Sequence, residues 1–140
     1  MSTTDAVHSA MKCSLVRLHS RILNECLCSN TSTYASTLAF DAELRQLQHQ
    51  TLPCMEPLII HAQAQAPPSR ALQSGLIDDA TSAAMREELQ RHTHGVNLHQ
   101  AFLLLHRAWF VKSLQESDGD PLSGPFAKSM VAVSESASKV

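Results

Sequence analysis

The stretch Leu98–Leu114, LHQAFLLLHRAWFVKSL, is the most hydrophobic run of the chain and the one that decides the predicted fold. At 100° per residue, one helix face carries Leu98, Phe102, Leu105 and Trp109. Further leucine, phenylalanine and valine side chains fall on the other faces, and a helix that is apolar on almost every side is usually buried. The run is too short and too charged to span a membrane. We therefore expect the central helix of a soluble helical domain.

The totals limit the classes of protein to which the chain can belong. Its 140 residues suffice for one domain with a modest core, and 44% hydrophobic with 17% charged residues is typical of a globular protein. The net charge is −2, and neither half carries a basic excess, whereas binding to nucleic acid normally needs a basic surface. We therefore expect no direct DNA binding and no membrane insertion.

The first residues, MSTTDAVHSAMKCS, lack the basic start and apolar core of a signal peptide. A reducing compartment is therefore expected, in which Cys13, Cys26, Cys28 and Cys54 are thiols. Cytosol and nucleus both fit.

Apolar spacing predicts two helices in the first part of the chain. Residues at intervals of three and four predict helix 1 over about 5–27, on the stripe Val7, Met11, Leu15, Leu18, Ile22 and Cys26. Helix 2 is predicted from a cap at Ser36 or Thr37 to about Gln50, because the residue before Pro53 disfavours the α region. We expect 1–52 to form a helical hairpin, with Asp41 and Glu43 facing water.

Residues 53–80 predict a poorly ordered linker, in which 58–60 could be a strand or one buried turn. Helix 3 is then expected from Asp79 or Thr81 to Gly95, with Ala84, Met85 and Leu89 inward. Asn97 is predicted to cap the central helix, 98–114, and Ser117–Pro121 to form a turn. A last helix is expected to begin at 123–126. Its predicted stripe is Met130, Val133 and Ala137.

That last helix has no stop signal before the C-terminus. The segment 81–140 is therefore interpreted as helical and truncated, part of a larger domain. A truncated domain would expose apolar surface, so we expect self-association or protein partners.

Histidines are the first candidates for chemistry. His92, His94, His99 and His106 lie near each other in sequence, and three or four such ligands can bind zinc. His99 and His106 are two helix turns apart, about 10 Å, too far to chelate alone. A structural role is the preferred interpretation, and a metal- or haem-binding helical protein is the less favoured alternative.

Cysteine and arginine complete the candidates. Cys13 and His19 fall on different sides of helix 1, and no nucleophile motif occurs, so we expect no catalytic residue and no enzyme. Arg107 interrupts the apolar helix. It either forms a buried ion pair, with Asp41, Glu43 or Glu88 as partner, or extends its charged end to water.

The run LHQAFLLLHRAWF resembles a helix in the middle homology region of fungal zinc-cluster transcription factors. The agreement lies in Leu98, His99, Phe102, Leu104, Leu105, His106, Arg107 and Phe110. Three further segments agree in order: Leu15–Leu27, Leu38–Pro53 and Val133–Val140. Ala108 stands in place of the proline of the family's H-R-P, Val133 in place of a cysteine, and Leu47 near a tryptophan position.

The resemblance covers only part of the family's regulatory region. The family's DNA-binding module is a zinc cluster with six cysteines and a basic linker, and this chain has neither. By resemblance we expect an all-α, nuclear, regulatory domain of a fungal transcription factor that needs no cofactor and acts through partners or effectors. The structural signature is Leu98, His99, Phe102, Leu105, His106, Arg107, Trp109 and Phe110. The alternative is a helical protein-interaction module unrelated to transcription.

Overall fold

A computed structural model describes residues 3–28, 32–55, 79–117 and 119–140. Within these ranges the chain forms four α-helices and no strand, which confirms the predicted all-α class. We number the helices α1 (Thr3–Ile22), α2 (Tyr34–Met55), α3 (Asp79–Glu116) and α4 (Ala127–Ala137). Leu23–Leu27 continue α1 as a π-helical turn. Most of the predicted linker, 56–78, lies outside the described residues.

Three helices build the hydrophobic core. The buried apolar side chains are Leu15, Leu18 and Ile22 of α1, Phe40 and Leu44 of α2, and Leu98, Ala101, Phe102 and Leu105 of α3. The centre of the predicted helix 1 stripe is therefore confirmed, whereas Val7 at its start is 41% exposed. The core lies where the middle of α1 and of α2 meet the second half of α3.

The predicted bounds of α2 were wrong at both ends. The helix begins at Tyr34, because Thr33 and Ser36 form a reciprocal capping pair. The Ser36 amide donates to Thr33 Oγ1 and the Thr33 amide donates to Ser36 Oγ, each over 3.2 Å. At the other end the helix continues through Pro53 to Met55, since a proline disfavours the α region before it without forbidding that region.

The predicted helix 3 and central helix are one helix of 38 residues, so the predicted break at Gly95 and Asn97 was wrong. Gly119 is the only described residue with positive φ, so Gly95 keeps the ordinary right-handed backbone. A glycine inside a helix costs about 1 kcal/mol relative to alanine. Buried His94 and Leu98 lie on either side of it, and their packing favours continuity.

Because α3 is one continuous helix, its first half buries different residues from those predicted. Counting back from buried Leu98 in steps of four and three leads to His94, which is buried, and Arg91, whose side chain is only 11% exposed. Met85 and Leu89 are off this register and are 72% and 64% exposed. The inward positions predicted for Ala84, Met85 and Leu89 were therefore wrong, because the core sets the register of the whole helix.

The second half of α3 is less buried than its composition predicts. Val111 and Leu114 are about half exposed. Leu103, Leu104 and Phe110 are half-buried. The packed face is therefore one stripe and not the whole circumference of the helix.

Ser117 and the stretch 119–126 form a non-helical connection to α4, in which a turn closes over Asp120–Ser123, so the observed turn overlaps only the end of the predicted one at Ser117–Pro121. Asp120 Oδ1 accepts from the Leu122 amide over 2.9 Å. α4 then buries Ser129, Ala132 and Ser136, whereas Met130 and Val133 are only half-buried and Ala137 is exposed. The predicted apolar stripe of this helix was wrong, because small side chains allow its close approach to α3.

An aromatic cluster joins the start of α2 to α3 and to the residue before α4. The ring centroids of Tyr34, Trp109 and Phe126 lie 5.0–5.1 Å apart, and the Lys112 ammonium lies over two of the rings. Trp109 Nε1 also donates to Thr37 Oγ1 over 2.9 Å. These contacts fix three elements at one end of the core.

Candidate functional site

His106 lies at the centre of a buried polar network between α2, α3 and α4. The ring is 0% exposed, with Nε2 3.0 Å from Asp41 Oδ1 and Nδ1 2.8 Å from Ser129 Oγ. A carboxylate can only accept, so Nε2–H is the donor, and in the neutral ring Nδ1 accepts the Ser129 proton. The Ser129 oxygen also lies 3.4 Å from the Tyr34 hydroxyl.

Asp41 is therefore not the water-facing residue that its place on helix 2 predicted. Its side chain is 17% exposed and also accepts from Arg45 Nε over 2.8 Å. Burial acts to raise the pKa of Asp41, but the hydrogen bonds from His106 and Arg45 outweigh it, and the pKa lies below its usual value. The network holds a charged carboxylate between two helices.

Asp41, His106 and Ser129 are the residue types of a hydrolase triad, but their surroundings in this structure give them another role. Ser129 is 0% exposed and lies inside a helix, so no substrate carbonyl can approach its hydroxyl. The arrangement joins helices and satisfies buried polar groups.

The signature residues of α3 have different surroundings. Leu98, Phe102 and Leu105 are core residues, and Trp109 and Phe110 are half-buried. His99 Nδ1 lies 3.3 Å from Ser136 Oγ. Burial, and secondarily the charge of Lys139, lowers the pKa of His99.

Arg107 is exposed, so the predicted buried ion pair was wrong and the outward-directed alternative is correct. The three candidate partners are engaged elsewhere: Asp41 with His106 and Arg45, Glu43 with Arg21, and Glu88 with Arg91. The buried contact with Asp41 is made instead by the neighbouring residue, His106.

The histidines and cysteines that the structure describes do not converge on one site. Among the described residues no group of three or more His, Cys, Asp or Glu side chains could hold a metal ion. His92 is exposed, and His94, His99 and His106 face different neighbours. Cys13, Cys26 and Cys28 are free thiols, and burial raises the pKa of Cys26.

An open groove of about 620 Å³ lies between α1 and the first half of α3, and we call it the α1–α3 groove. Its volume is that of a pocket for a small organic molecule. The helix α1 contributes His8, Ser9, Lys12, Leu15, Val16 and His19, and α3 contributes Leu89, Gln90, Thr93, His94 and Asn97. Val16 and Leu89 are 59% and 64% exposed, so part of its wall is apolar and open to solvent.

His94 is the unusual residue of this groove. It is 7% exposed, and among the described residues no group forms a hydrogen bond with its Nε2 atom. Burial, and secondarily the charge of His8, lowers the pKa of His94, so the ring is neutral near pH 7. An unpaired buried polar atom costs stability and needs an explanation.

The groove was not predicted from the sequence, although His94 was a candidate. One wall belongs to α3 on both sides of Gly95, and the predicted break at Gly95 concealed it. The i, i+4 spacing of His94 and buried Leu98 was the available signal.

Comparisons with protein-family models, with curated proteins and with solved structures found no match. No helix of the described residues is long and apolar enough to cross a membrane. The fold and the groove together define a helical domain with a ligand-sized site.

Proposed function

We propose that the chain is a regulatory domain of a fungal transcription factor, one that does not bind DNA itself and modulates transcription through a partner or effector bound in the α1–α3 groove. The observation that carries this proposal is the groove itself, about 620 Å³, with apolar side chains exposed beside a buried unpaired imidazole. Such a combination favours binding a ligand over simple packing.

The transcriptional part of the proposal is supported by the four segments that resemble the fungal family. The core residues Leu15, Leu44 and Leu98 all lie in those segments, so the resemblance concerns residues that determine packing. The net charge of −2 supports a role apart from DNA contact.

A reporter assay tests the regulatory role. The full chain is fused to an unrelated DNA-binding module and an activation segment, and reporter output is compared with that of the same fusion lacking the chain. We expect the output to differ. The variant Leu89→Glu, which places a charge on the groove wall, should remove the difference, whereas Val131→Glu on the exposed face of α4 should not. Equal output with and without the chain would refute the proposal.

Direct DNA binding is tested separately on the purified chain. Fluorescence anisotropy with labelled duplex DNA should show no saturable binding at about 50 mM or about 200 mM salt, because phosphate contacts need basic side chains. Specific binding with a steep salt dependence would contradict this part of the proposal.

A helical interaction module outside transcription is the second candidate. The exposed apolar residues Met85 and Leu89 favour it, because they lie outside all four segments that resemble the fungal family. Imaging of a tagged copy distinguishes the two, since exclusion from the nucleus would favour the second candidate.

A further inference from the structure

We infer that the α1–α3 groove binds a small organic carboxylate with an apolar body, and that this ligand is the effector of the domain. The second clause rests on the proposed function, whereas the first concerns the groove alone. The inference joins three features of the groove: an unpaired buried imidazole, an excess of basic groups, and an apolar wall.

The imidazole of His94 lines the groove and carries an unpaired hydrogen-bonding atom. Its Nε2 atom is buried and has no partner within the part of the chain that the structure describes. A neutral imidazole can carry its proton on Nε2 and donate it to an oxygen acceptor. Because Nε2 itself is closed to solvent, a ligand oxygen reaches it only after a small turn of the ring toward the groove, and the hydrogen bond formed there would satisfy the atom that the protein leaves unpaired and add to the affinity.

The charges of the groove select an anion. The described residues that line it include Lys12, His8 and His19 but no aspartate or glutamate. None of the ion pairs formed by the described residues involves Lys12, so its ammonium has no anionic partner among them. A carboxylate beside Lys12 would receive a charge-assisted contact, whereas a cation would be repelled by the Lys12 ammonium with no acidic side chain among the described lining residues to offset it.

The apolar wall defines the rest of the ligand. Leu15, Val16 and Leu89 contact the groove, and the last two are mostly exposed without a ligand. Covering them with an alkyl or aromatic body removes apolar surface from water. An inorganic anion would leave this surface exposed, so the groove favours an amphipathic carboxylate.

Isothermal titration calorimetry on the full chain tests the inference, with four probes at constant ionic strength. Octanoate carries both parts of the ligand, acetate only the carboxylate, octan-1-ol only the body, and octylammonium the body with the opposite charge. We expect octanoate to bind with 1:1 stoichiometry and about tenfold or more tightly than the other three, as a charge-assisted contact requires. Equal binding of octanoate and octan-1-ol, or no binding of octanoate, would overturn it.

Two variants with a matched control locate the binding. Lys12→Gln should weaken octanoate binding about tenfold, whereas Lys128→Gln, at an exposed position of α4 outside the groove, should leave it unchanged. His94→Leu should weaken binding without lowering the melting temperature of the free chain, because an unpaired polar atom is replaced by an apolar one. Equal effects of the two lysine variants would overturn the inference even if His94→Leu fails to fold.

A peptide ending in an apolar residue with a free carboxylate separates a protein partner from a small molecule. Binding of that peptide without binding of octanoate would overturn the inference in favour of a protein. The titration involves no transcription, so octanoate binding together with a silent reporter would uphold the site and refute the proposed function.

Discussion

His106 and Arg107 are neighbours on α3, yet their surroundings are opposite. His106 is 0% exposed and contacts Asp41 and Ser129, whereas Arg107 is exposed. One step of 100° along a helix is enough to carry a side chain from a helix–helix contact to water. Of these two polar residues, His106 therefore has a structural role, whereas Arg107 is a surface residue.

We expect His106→Ala to lower the free energy of unfolding by about 3 kcal/mol, because it removes a fully buried ring together with its hydrogen bonds to the Asp41 carboxylate and the Ser129 hydroxyl. Arg107→Ala should change it by less than about 0.5 kcal/mol, the usual range for surface substitutions. Urea denaturation followed by circular dichroism measures both. Similar losses in the two variants would contradict the assignment.

The contact between Asp41 and His106 could not be predicted from the sequence. The two residues are 65 positions apart, and a lone aspartate on the polar side of α2 resembles a solvated residue. The apolar partners were easier to predict, because Leu98, Phe102 and Leu105 repeat at helical intervals and repetition indicates a face. A single polar pair has no such repetition.

At the scale of elements, α3 and α4 show how local signals can mislead. Gly95 and Asn97 are common at helix ends, but burial on both sides of them outweighs a cost of about 1 kcal/mol. In α4 the buried residues are Ser129, Ala132 and Ser136, which no hydropathy pattern marks. These residues are buried because α4 lies so close to α3 that only small side chains fit between the two helices.

The close contact of α4 with α3 leads to a paired prediction on adjacent residues. Ala132→Leu should lower the free energy of unfolding by about 1–3 kcal/mol, because Ala132 is 2% exposed and extra methylene groups must displace their neighbours. Val131→Leu, at a position that is 44% exposed, is the control and should be nearly neutral. Thermal melts of the two variants provide the measurement. A neutral Ala132→Leu would show that α4 packs loosely.

For the whole molecule, histidine ionisation connects stability to pH. The pKa values of His94 and His99 are lowered in the folded chain, mainly by burial. The unfolded chain therefore binds more protons than the folded chain just below its own histidine pKa, about 6.5. Their contribution is most favourable above about pH 6.5 and is lost as the pH falls from there toward the folded pKa values.

We accordingly expect the melting temperature to fall between about pH 7.5 and about pH 5.5. The double variant His94→Leu/His99→Gln should show a smaller fall, because it removes both groups. His49→Gln, at an exposed position, is the matched control and should keep the slope of the original chain. Differential scanning fluorimetry in buffers of equal ionic strength measures the slopes. An unchanged slope in the double variant would contradict the assignment.

Self-association is the second prediction for the whole molecule. Met85 and Leu89 are the most exposed large apolar residues of α3, at 72% and 64%, and they lie one helix turn apart. Surface of this kind promotes contact between copies. Size-exclusion chromatography with light scattering should show oligomers that grow with concentration. The variant Met85→Lys/Leu89→Lys should be monomeric, whereas Val131→Lys should behave as the original chain. A monomer at every concentration would contradict the prediction.

The length of α3 has a mechanical consequence. The helix is held in the core from Leu98 onward and stays largely buried back to His94 and Arg91, and the twelve residues from Asp79 to Gln90 extend about 18 Å beyond that support. Such a segment can act as a lever that pivots near Arg91. A tilt of only about 5° would move its tip by about 1.5 Å. Small adjustments around a ligand near His94 would therefore be amplified into a displacement that a second protein could detect.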